Sequence, residues 1–375
     1  MKTKIILVLI TLLNFTLSLA QDSCQQAKDD TSKERLFQAT LIPGFGTGNG
    51  AKEMYKNRTS LNVFVGYEYS FEGFELGSFY NINTSDVTGV QIAGFGNAVG
   101  GSTLGFQLGG FNNIVKREMK GAQISGFLNY AGGHVKGWQL SGFANIARED
   151  IDGVQLSGFV NIASNSKGVQ MAGFINKTDT LKGTQMAIIN KAKTIRGTQV
   201  GLINIADSVK SGTTIGLINI IKSGFVQFAT ENNDVTDVNL VFRSGTKSFY
   251  TILSAGMETK EEFIWSYGIG LGTQYDFKNN VFGNVELSTH AINTSEGHAK
   301  ELNLLNRLNL NIGYQIARNL SLNAGPVLNI YVTQVVDPET KKYGTIGLTE
   351  KGFFDKTYSG TNLKMWMGYS VSLRF

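Results

Sequence analysis

The stretch "GVQLSGFVNIA" at residues 153–163 recurs along the chain with small changes and decides the fold. It returns as "GAQISGFLNYA" at 121–131, "GWQLSGFANIA" at 137–147 and "GTQVGLINIA" at 197–206. Aligned on its Gln and Asn, the unit occurs ten times between residues 73 and 222, with a period of 14 to 16 residues. This period excludes helical repeats of about 34 residues, so each unit is a short piece of β structure.

The Gln and Asn of the repeat are its candidate functional positions. If the units stack as parallel coils, identical side chains lie on one another in a ladder and satisfy each other's hydrogen bonds. Such a ladder could instead offer its amides to a polar polymer such as a glycan. The positions are Gln91, Gln107, Gln123, Gln139, Gln155 and Gln170, with Asn97, Asn113, Asn129, Asn145, Asn161 and Asn176.

Two architectures can use this unit: a coil of a β-solenoid or one antiparallel strand of a large barrel. In the first seven units the Gln (Glu75 in the degenerate first unit) and the Asn are six residues apart, and in the last three the spacing is five. Within a continuous strand this change would turn later side chains to the other face, unless the "SG" before Phe is a corner. Antiparallel strands alternate in direction and have no reason to repeat one residue order. The pattern therefore favours the solenoid, with additional barrel strands as the alternative.

The C-terminal part of the chain has the alternation of membrane strands. In "FIWSYGIGLGTQY" at 263–275, bulky apolar residues occupy one face and small or polar residues the other. Outer-membrane barrel strands have this pattern, with lipid outside and a polar interior. We predict eight such strands, near 225–231, 236–244, 247–258, 263–275, 281–290, 301–317, 319–333 and 363–375.

Three features favour a membrane barrel over a soluble sandwich, whose strands also alternate. The predicted strands reach 10–15 residues, longer than the usual 5–6. Phe375 is an aromatic C-terminus and resembles the assembly signal of bacterial outer-membrane barrels. Short connections such as 318–319 also alternate with long ones such as 334–362, as periplasmic turns alternate with outer loops. Residues 223–375 are therefore predicted to be barrel strands.

The N-terminus has the sequence of a secretory signal peptide. A basic start with Lys2 and Lys4 precedes an apolar run, which predicts cleavage after Ala20 and a signal peptide at 1–20. Cys24 lies four residues past the predicted cleavage site, so lipidation is not expected. Because it is the only cysteine, the chain cannot form an internal disulfide.

Residues 21–72 are predicted to contain the first barrel strands, at 36–43 and 61–71, because 61–71 alternates like the C-terminal strands. Together with the eight predicted C-terminal strands, these two would give a barrel of ten strands. The chain would then leave and re-enter the barrel on the periplasmic side, so the repeats at 73–222 would lie on that side.

Composition limits the classes of function. The chain of 375 residues has 45 Gly, 3 Pro and 11% aromatic residues, which is typical of an all-β protein. Its formal net charge is +5. The Lys and Arg residues are scattered through turns, so nucleic-acid binding is not expected.

The repeat also resembles that of bacterial surface-repeat outer-membrane proteins, which carry "GxQxxGxxN" units between a signal peptide and a barrel-like C-terminus. The resemblance covers residues 73–222 well and the rest loosely. The resemblance implies an outer-membrane location and carries no established activity with it.

Few residues suggest chemistry. His290, with Glu286 and Ser288, points to the polar face of one predicted strand, as a hydrolytic Ser–His–acid group would. Neighbours two apart on a strand face are also expected from interior polarity alone, and no oxyanion feature accompanies them. "PGFGTGNG" at 43–50 lacks the following helix of a nucleotide-binding loop, so we expect an exposed loop there. No catalytic, metal or cofactor site is predicted.

The sequence therefore predicts a non-enzymatic outer-membrane β-barrel with a central ten-unit repeat and a structural or binding role at the cell envelope. The expected partners are outer-membrane lipid, the barrel-assembly machinery, and a glycan or another envelope protein. The alternative function is a passive diffusion channel, which requires the repeats to be barrel strands around an aqueous interior.

Overall fold

The structure is a computed structural model that describes residues 32–48, 54–258, 263–294, 301–336, 341–345, 348 and 352–375. The predicted signal peptide at 1–20 and Cys24 lie outside these residues. All regular structure within them is β-strand, which confirms the all-β prediction. The chain divides into two compact units between Val200 and Gly201.

The first unit consists of short strands. Its described strands are β1 Lys33–Ile42, β2 Phe45–Gly46, β3 Tyr55–Asn62, β4 Val65–Glu68, β5 Ser70–Gly77, β6 Tyr80–Asn83, β7 Val87–Ala93, β8 Gly96–Val99, β9 Thr103–Gly109, β10 Asn112–Val115, β11 Met119–Ser125, β12 Leu128–Ala131, β13 Val135–Ser141, β14 Ala144–Ala147, β15 Ile151–Ser157, β16 Val160–Ile162, β17 Asn165–Ala172, β18 Ile175–Leu181, β19 Thr184–Met186, β20 Ile189–Ile195 and β21 Thr198–Val200.

The repeat folds as a β-solenoid of about ten stacked parallel coils, as the sequence favoured. One repeat forms one coil of two strands joined at a corner, for example β13 and β14 with a corner at Gly142–Phe143. β13 pairs in parallel with β11 and β15, so that Gln139 lies opposite a Gln on both sides. Because the pairing is parallel, the alternative in which the repeats are antiparallel barrel strands is wrong.

A glycine lies two residues before the Gln in each Gln-containing strand because neighbouring coils approach closely there. Gly137 has a φ of 132°, in the region that favours glycine. A Cβ at Gly137 would lie 2.0 Å from the carbonyl oxygen of Gly121 in the preceding coil. The same contact recurs between the equivalent glycines of the other coils, so each repeat begins with Gly.

The corner also explains the two spacings of Gln and Asn. Gln185 still pairs with Gln170, and Asn190 with Asn176, although the later coil is one residue shorter between them. The corner absorbs the lost residue, because the later coil has no counterpart of Gly173. Both strands keep their register, and no side chain changes face.

The structure corrects the prediction for the N-terminal segment. β1 pairs in parallel with β3, and β3 with β5, so neither 36–43 nor 61–71 is a barrel strand. The stretch 61–71 contains a bend at Val63–Phe64, and its alternating residues belong to solenoid coils. Alternation identifies an extended segment with two unlike faces, but it does not distinguish a solenoid strand from a membrane strand. The Gly-rich stretch at 43–50 begins as a turn and continues into β2, as far as it is described.

The second unit contains the end of the ninth repeat, the last repeat and an antiparallel sheet. Its described strands are β22 Ile203–Val209, β23 Thr213–Ile215, β24 Ile218–Ile221, β25 Phe225–Asn233, β26 Val238–Thr246, β27 Phe249–Glu258, β28 Ile264–Asp276, β29 Val281–Thr294, β30 Asn303–Ala317, β31 Leu320–Thr333, β32 Phe354–Tyr358 and β33 Thr361–Arg374.

The antiparallel sheet of the second unit is closed. Consecutive strands pair from β25 to β31, β31 pairs with β33, and β33 pairs back with β25. In the described part of the chain, eight strands form this ring, and β32 extends a hairpin with β33. All eight strands predicted for the C-terminal region are present. Within the same residues, the structure has no helix of the length and apolar character needed to cross a lipid bilayer.

Candidate functional site

The solenoid interior contains the predicted glutamine ladder. Each Gln side chain donates from Nε2 to Oε1 of the Gln in the preceding coil: Gln107 to Gln91 at 2.7 Å and Gln123 to Gln107 at 2.9 Å. The ladder continues in the same way through Gln139, Gln155, Gln170, Gln185 and Gln199. All of these side chains are fully buried.

A second ladder, made of asparagines, donates in the opposite direction along the solenoid. Asn145 accepts from Asn129 and donates from Nδ2 to Oδ1 of Asn161, both at 3.0 Å. Its Nδ2 also donates to the carbonyl oxygen of Leu156 in the next coil at 2.7 Å. Asn97, Asn113 and Asn176 make the same two kinds of bond. The asparagines thus bind each corner to the next coil.

The hydrogen-bonding groups of the ladder side chains are consequently used by their neighbours in the ladder. Their amide groups are buried and offer no surface to a glycan, and they pair with one another except for Gln199 Oε1, which has no hydrogen-bond partner among the described residues. The ladder positions predicted from the sequence are brought together as expected, and in this arrangement they stabilise the coil stack. A binding site on the solenoid must therefore use its outer side chains.

The first ladder position is a carboxyl group instead of an amide. Glu75 accepts from Gln91 Nε2 at 2.7 Å and from Asn62 Nδ2 at 2.9 Å. Glu68 lies nearby in the same interior and accepts from Asn57 Nδ2 at 2.7 Å and from Ser60 Oγ. Burial, and after it the charge of Glu68, raises the pKa of Glu75 to about 8. Burial also raises the pKa of Glu68.

The outer side of the corners carries a column of stacked phenylalanines. Their ring centroids are 4.7 to 5.0 Å apart, and the rings are nearly parallel. These rings are half-buried or exposed, as are the apolar residues beside them. The stacked residues are Phe79, Phe95, Phe111, Phe127, Phe143, Phe159 and Phe174.

A polar groove runs across consecutive coils on another part of the solenoid surface. One wall is a column of residues that each precede a repeat glycine, and it includes Lys136, Lys182 and Arg196. The other wall includes Asn165 and Thr180. Sequence analysis missed this groove, although aligning the residue before each repeat glycine would have revealed its cations.

The closed sheet has a buried cluster of charged side chains inside it. Arg243 donates to both carboxylate oxygens of Glu286, from Nε at 2.8 Å and from Nη2 at 2.9 Å. Tyr250 donates to the same carboxylate at 2.8 Å, and Arg374 Nη2 lies 3.4 Å from it. Such bidentate, charge-assisted contacts are the strong form of ion pair. They fix the polar interior in one arrangement.

A second group of charges lies in the same interior. Arg307 Nη1 is 3.4 Å from Glu231 Oε1, and Arg307 Nη2 is 3.9 Å from Asp234 Oδ1. Asp234 also accepts from Trp366 Nε1 at 2.7 Å and from Asn329 Nδ2 at 2.8 Å.

The Ser–His–acid arrangement considered from the sequence does not form a relay. His290 Nε2 is 2.9 Å from Ser288 Oγ, and His290 Nδ1 is 3.4 Å from Ser254 Oγ. The carboxylate of Glu286 instead binds Arg243. A catalytic His needs a partner that orients it, and Glu286 is not this partner. In the described residues no group of three or more His, Cys, Asp or Glu side chains could hold a metal ion.

The outer surface of the closed sheet is apolar. Ile312, Leu240 and Phe228 are 69%, 64% and 61% exposed, and similar side chains continue around the sheet. Phe375 exchanges two main-chain hydrogen bonds with Phe228, at 2.7 and 3.2 Å, and its own side chain is exposed on this surface. Inside the sheet, buried polar and charged side chains lie beside one apolar cluster that includes Ile264, Ile292 and Leu305. The outer surface is apolar, whereas the surface of a water-soluble protein is mainly polar.

The chain matches no known family model, and no curated protein or solved structure is detectably similar to it.

Proposed function

We propose that this protein is an integral outer-membrane protein, anchored by its closed C-terminal sheet, with a non-enzymatic structural or binding role at the cell envelope. The observation that supports the proposal is the polarity of the sheet, with buried Arg243–Glu286 inside and exposed apolar side chains outside. In water such an apolar surface would be costly, whereas in a bilayer it faces lipid. The resemblance of the repeat to that of surface-repeat outer-membrane proteins agrees with this location.

Phe375 would act in assembly. Its backbone closes the sheet on β25, and its aromatic side chain lies on the face proposed to contact lipid. We propose that the barrel-assembly machinery recognises this terminal strand, after export directed by the signal peptide at 1–20.

The loop lengths support one orientation. At one end of the sheet the connections are Lys247–Ser248, Phe277–Asn280 and Arg318–Asn319, of two, four and two residues. At the other end the longest connection, 334–360, contains β32. Short turns in outer-membrane barrels are periplasmic. Phe225 begins the first sheet strand at the short-turn end, so we propose that the repeats precede the barrel on the periplasmic side.

The last repeat contacts the sheet at this end. The main-chain N–H of Asn219 donates to Ser244 Oγ at 3.1 Å, and Asn219 Nδ2 donates to Thr251 Oγ1 at 3.1 Å. Ser244 and Thr251 flank the two-residue turn between β26 and β27. Within the second unit, the final coil is therefore attached to the turn that we propose to be periplasmic.

The channel alternative lacks its structural basis. It required the repeats to be strands around a large aqueous interior, and they are parallel coils instead. A ring of eight strands is just wide enough for side chains to fill, and Arg243, Glu286 and Arg374 are buried inside it.

Thiol labelling of intact cells tests the location and the orientation together. In a chain with Cys24→Ser, single cysteines replace exposed residues: Glu149→Cys in the solenoid, Lys278→Cys in a short turn and Lys356→Cys in β32. A membrane-impermeant maleimide should label Lys356→Cys in intact cells. It should label the other two only after the outer membrane is opened.

Two results would contradict the proposal. Labelling of Glu149→Cys in intact cells would place the solenoid at the cell surface. Recovery of all three variants in the soluble fraction would contradict a membrane location.

A further inference from the structure

The groove on the solenoid has a regular line of positive charge. A cavity of about 790 Å³ runs along it, and one wall carries Lys120, Lys136, Lys167, Lys182 and Arg196, with Asp152 in their midst. These residues occupy successive coils at the position before the repeat glycine, and all are exposed. Neighbouring strands in a sheet lie about 4.8 Å apart. The column therefore presents side chains at that interval along the solenoid.

Several of these cations are available to a ligand. Lys120 is 2.9 Å from Glu118, and Lys167 is 3.3 Å from Asp152. Lys136, Lys182 and Arg196 have no carboxylate within ion-pair distance among the residues that the structure describes. The wall therefore keeps free positive charge, which is greatest at the coils of Lys182 and Arg196.

The opposite wall carries Glu118, His134 and Asp150 on the earlier coils and neutral hydrogen-bonding groups on the last three. Asn165 donates from Nδ2 to Asp150 Oδ1 at 2.6 Å, so its carbonyl oxygen is the group that remains for a ligand. Asn165 pairs with Thr180, and Thr180 pairs with Thr194, on successive coils. Each of these coils thus places one cation on one side of the groove and one hydroxyl or amide group on the other. A matching ligand would repeat an anion and hydroxyl groups at an interval similar to the spacing of the coils.

We propose that this groove binds a linear anionic polysaccharide with one carboxylate on each sugar residue. The length of one sugar in an extended 1,4-linked chain is comparable with the spacing of the coils. Carboxylates of the polymer can therefore lie beside Lys167, Lys182 and Arg196, which occupy three consecutive coils. The sugar hydroxyls then face Asn165, Thr180 and Thr194. This site differs from the buried amide ladders, and it is independent of the membrane location proposed above.

The groove lining favours a polysaccharide over a single-stranded nucleic acid. Proteins that bind single strands without sequence preference combine a basic groove with aromatic side chains on which bases stack. The residues that line the groove include His134 but no Phe, Tyr or Trp. The stacked phenylalanines of the solenoid lie at the corners, outside this lining.

A binding measurement with a matched control tests the inference. The full-length protein in detergent is titrated with a fluorescent hexamer of 1,4-linked galacturonic acid, and binding is followed by fluorescence anisotropy. Lys182→Gln/Arg196→Gln removes two adjacent cations from the groove. The control Lys177→Gln/Lys191→Gln removes two exposed cations from adjacent coils on another part of the surface. Because each exposed charge contributes modestly, the groove variant should bind about five- to tenfold more weakly and the control less than twofold.

Four results would overturn the inference. The groove variant could bind as tightly as the unaltered protein, or the control variant could lose as much affinity. A neutral 1,4-linked glucose hexamer could bind as well as the uronate. An oligothymidylate of equal charge could bind more tightly than the uronate, which would assign the groove to nucleic acid. Circular dichroism of both variants verifies that the coils are intact.

Discussion

At the scale of single residues, the most informative side chain is Glu75. Every other described ladder position from Gln91 to Gln199 carries an amide, which both donates and accepts. The first position receives a bond from Gln91 and has no Gln before it to which it must donate, so a carboxyl group is tolerated there. The cost is a buried acid, which remains protonated at neutral pH because burial raises its pKa to about 8.

This raised pKa makes stability depend on pH. Between the ordinary value of 4.5 and about 8, the folded chain holds a proton on Glu75 that the unfolded chain has released. The contribution of this proton to the free energy of unfolding is therefore fully present below about pH 4.5. It falls as the pH rises, by up to roughly 1.4 kcal/mol per pH unit, and it is lost once the pH has passed through about 8. We predict that Glu75→Gln removes the contribution of Glu75 to this dependence, leaving that of Glu68, and makes the chain more stable than the unaltered protein at pH 8.5.

Urea unfolding followed by circular dichroism at pH 5.5, 7 and 8.5 measures the effect. Glu72→Gln is the matched control, because Glu72 lies on the same strand but is exposed. Its pH dependence should follow that of the unaltered chain. If Glu75→Gln also retained the full dependence, Glu75 would not be the group that titrates.

At the scale of the element, the coil is held by its corner as much as by its strands. β14 has only four residues, and Asn145 within it joins three successive coils through side-chain bonds. Removing this amide would take one of its acceptors from Asn129 Nδ2, which keeps its bond to the carbonyl oxygen of Leu140. It would leave the acceptors on Asn161 and Leu156 without this partner. A buried polar group without a partner costs about 1–3 kcal/mol.

We therefore predict that Asn145→Ala destabilises the solenoid by roughly 3 kcal/mol or more. Arg148→Ala, an exposed side chain of the same coil, should change stability by less than about 0.5 kcal/mol. Hydrogen exchange across residues 113–176 locates the loss. An equally small effect of both substitutions would mean that the asparagine ladder does not stabilise the stack.

The sequence predicted an element correctly where its pattern favoured one of the possible architectures for a physical reason. The repeated Gly, Gln and Asn order predicted parallel coils and the ladders, and the eight C-terminal strands were found by alternation. The stretch 61–71 was assigned to the wrong sheet, because its alternation fits a solenoid coil equally well. The pairing of Glu286 with Arg243 was also missed, since these residues are 43 positions apart and only the closed sheet brings them together.

At the scale of the whole molecule, the closed sheet and the solenoid differ in the side chains that they bury. Solenoid coils bury apolar side chains such as Val115 and Met119 beside their amide ladders. The closed sheet buries charges and exposes apolar residues, an arrangement that the proposed lipid around its outer surface would stabilise. A charge placed on the outside should therefore have different effects in the two parts.

Leu271 and Leu104 provide this comparison, because they are 44% and 55% exposed on the closed sheet and the solenoid. Leu271 lies near the middle of β28, so we predict that Leu271→Arg lowers the stability of the protein folded in phosphatidylcholine vesicles by about 2–4 kcal/mol. Leu104→Arg adds the same charge to a surface that faces water and should cost less than about 0.5 kcal/mol. Urea titration of the vesicle-bound protein measures both changes in stability. Protease resistance of the C-terminal sheet reports unfolding. If Leu271→Arg were as mild as Leu104→Arg, the outer surface of the sheet would not lie in lipid, and its apolar residues would need another protein to cover them.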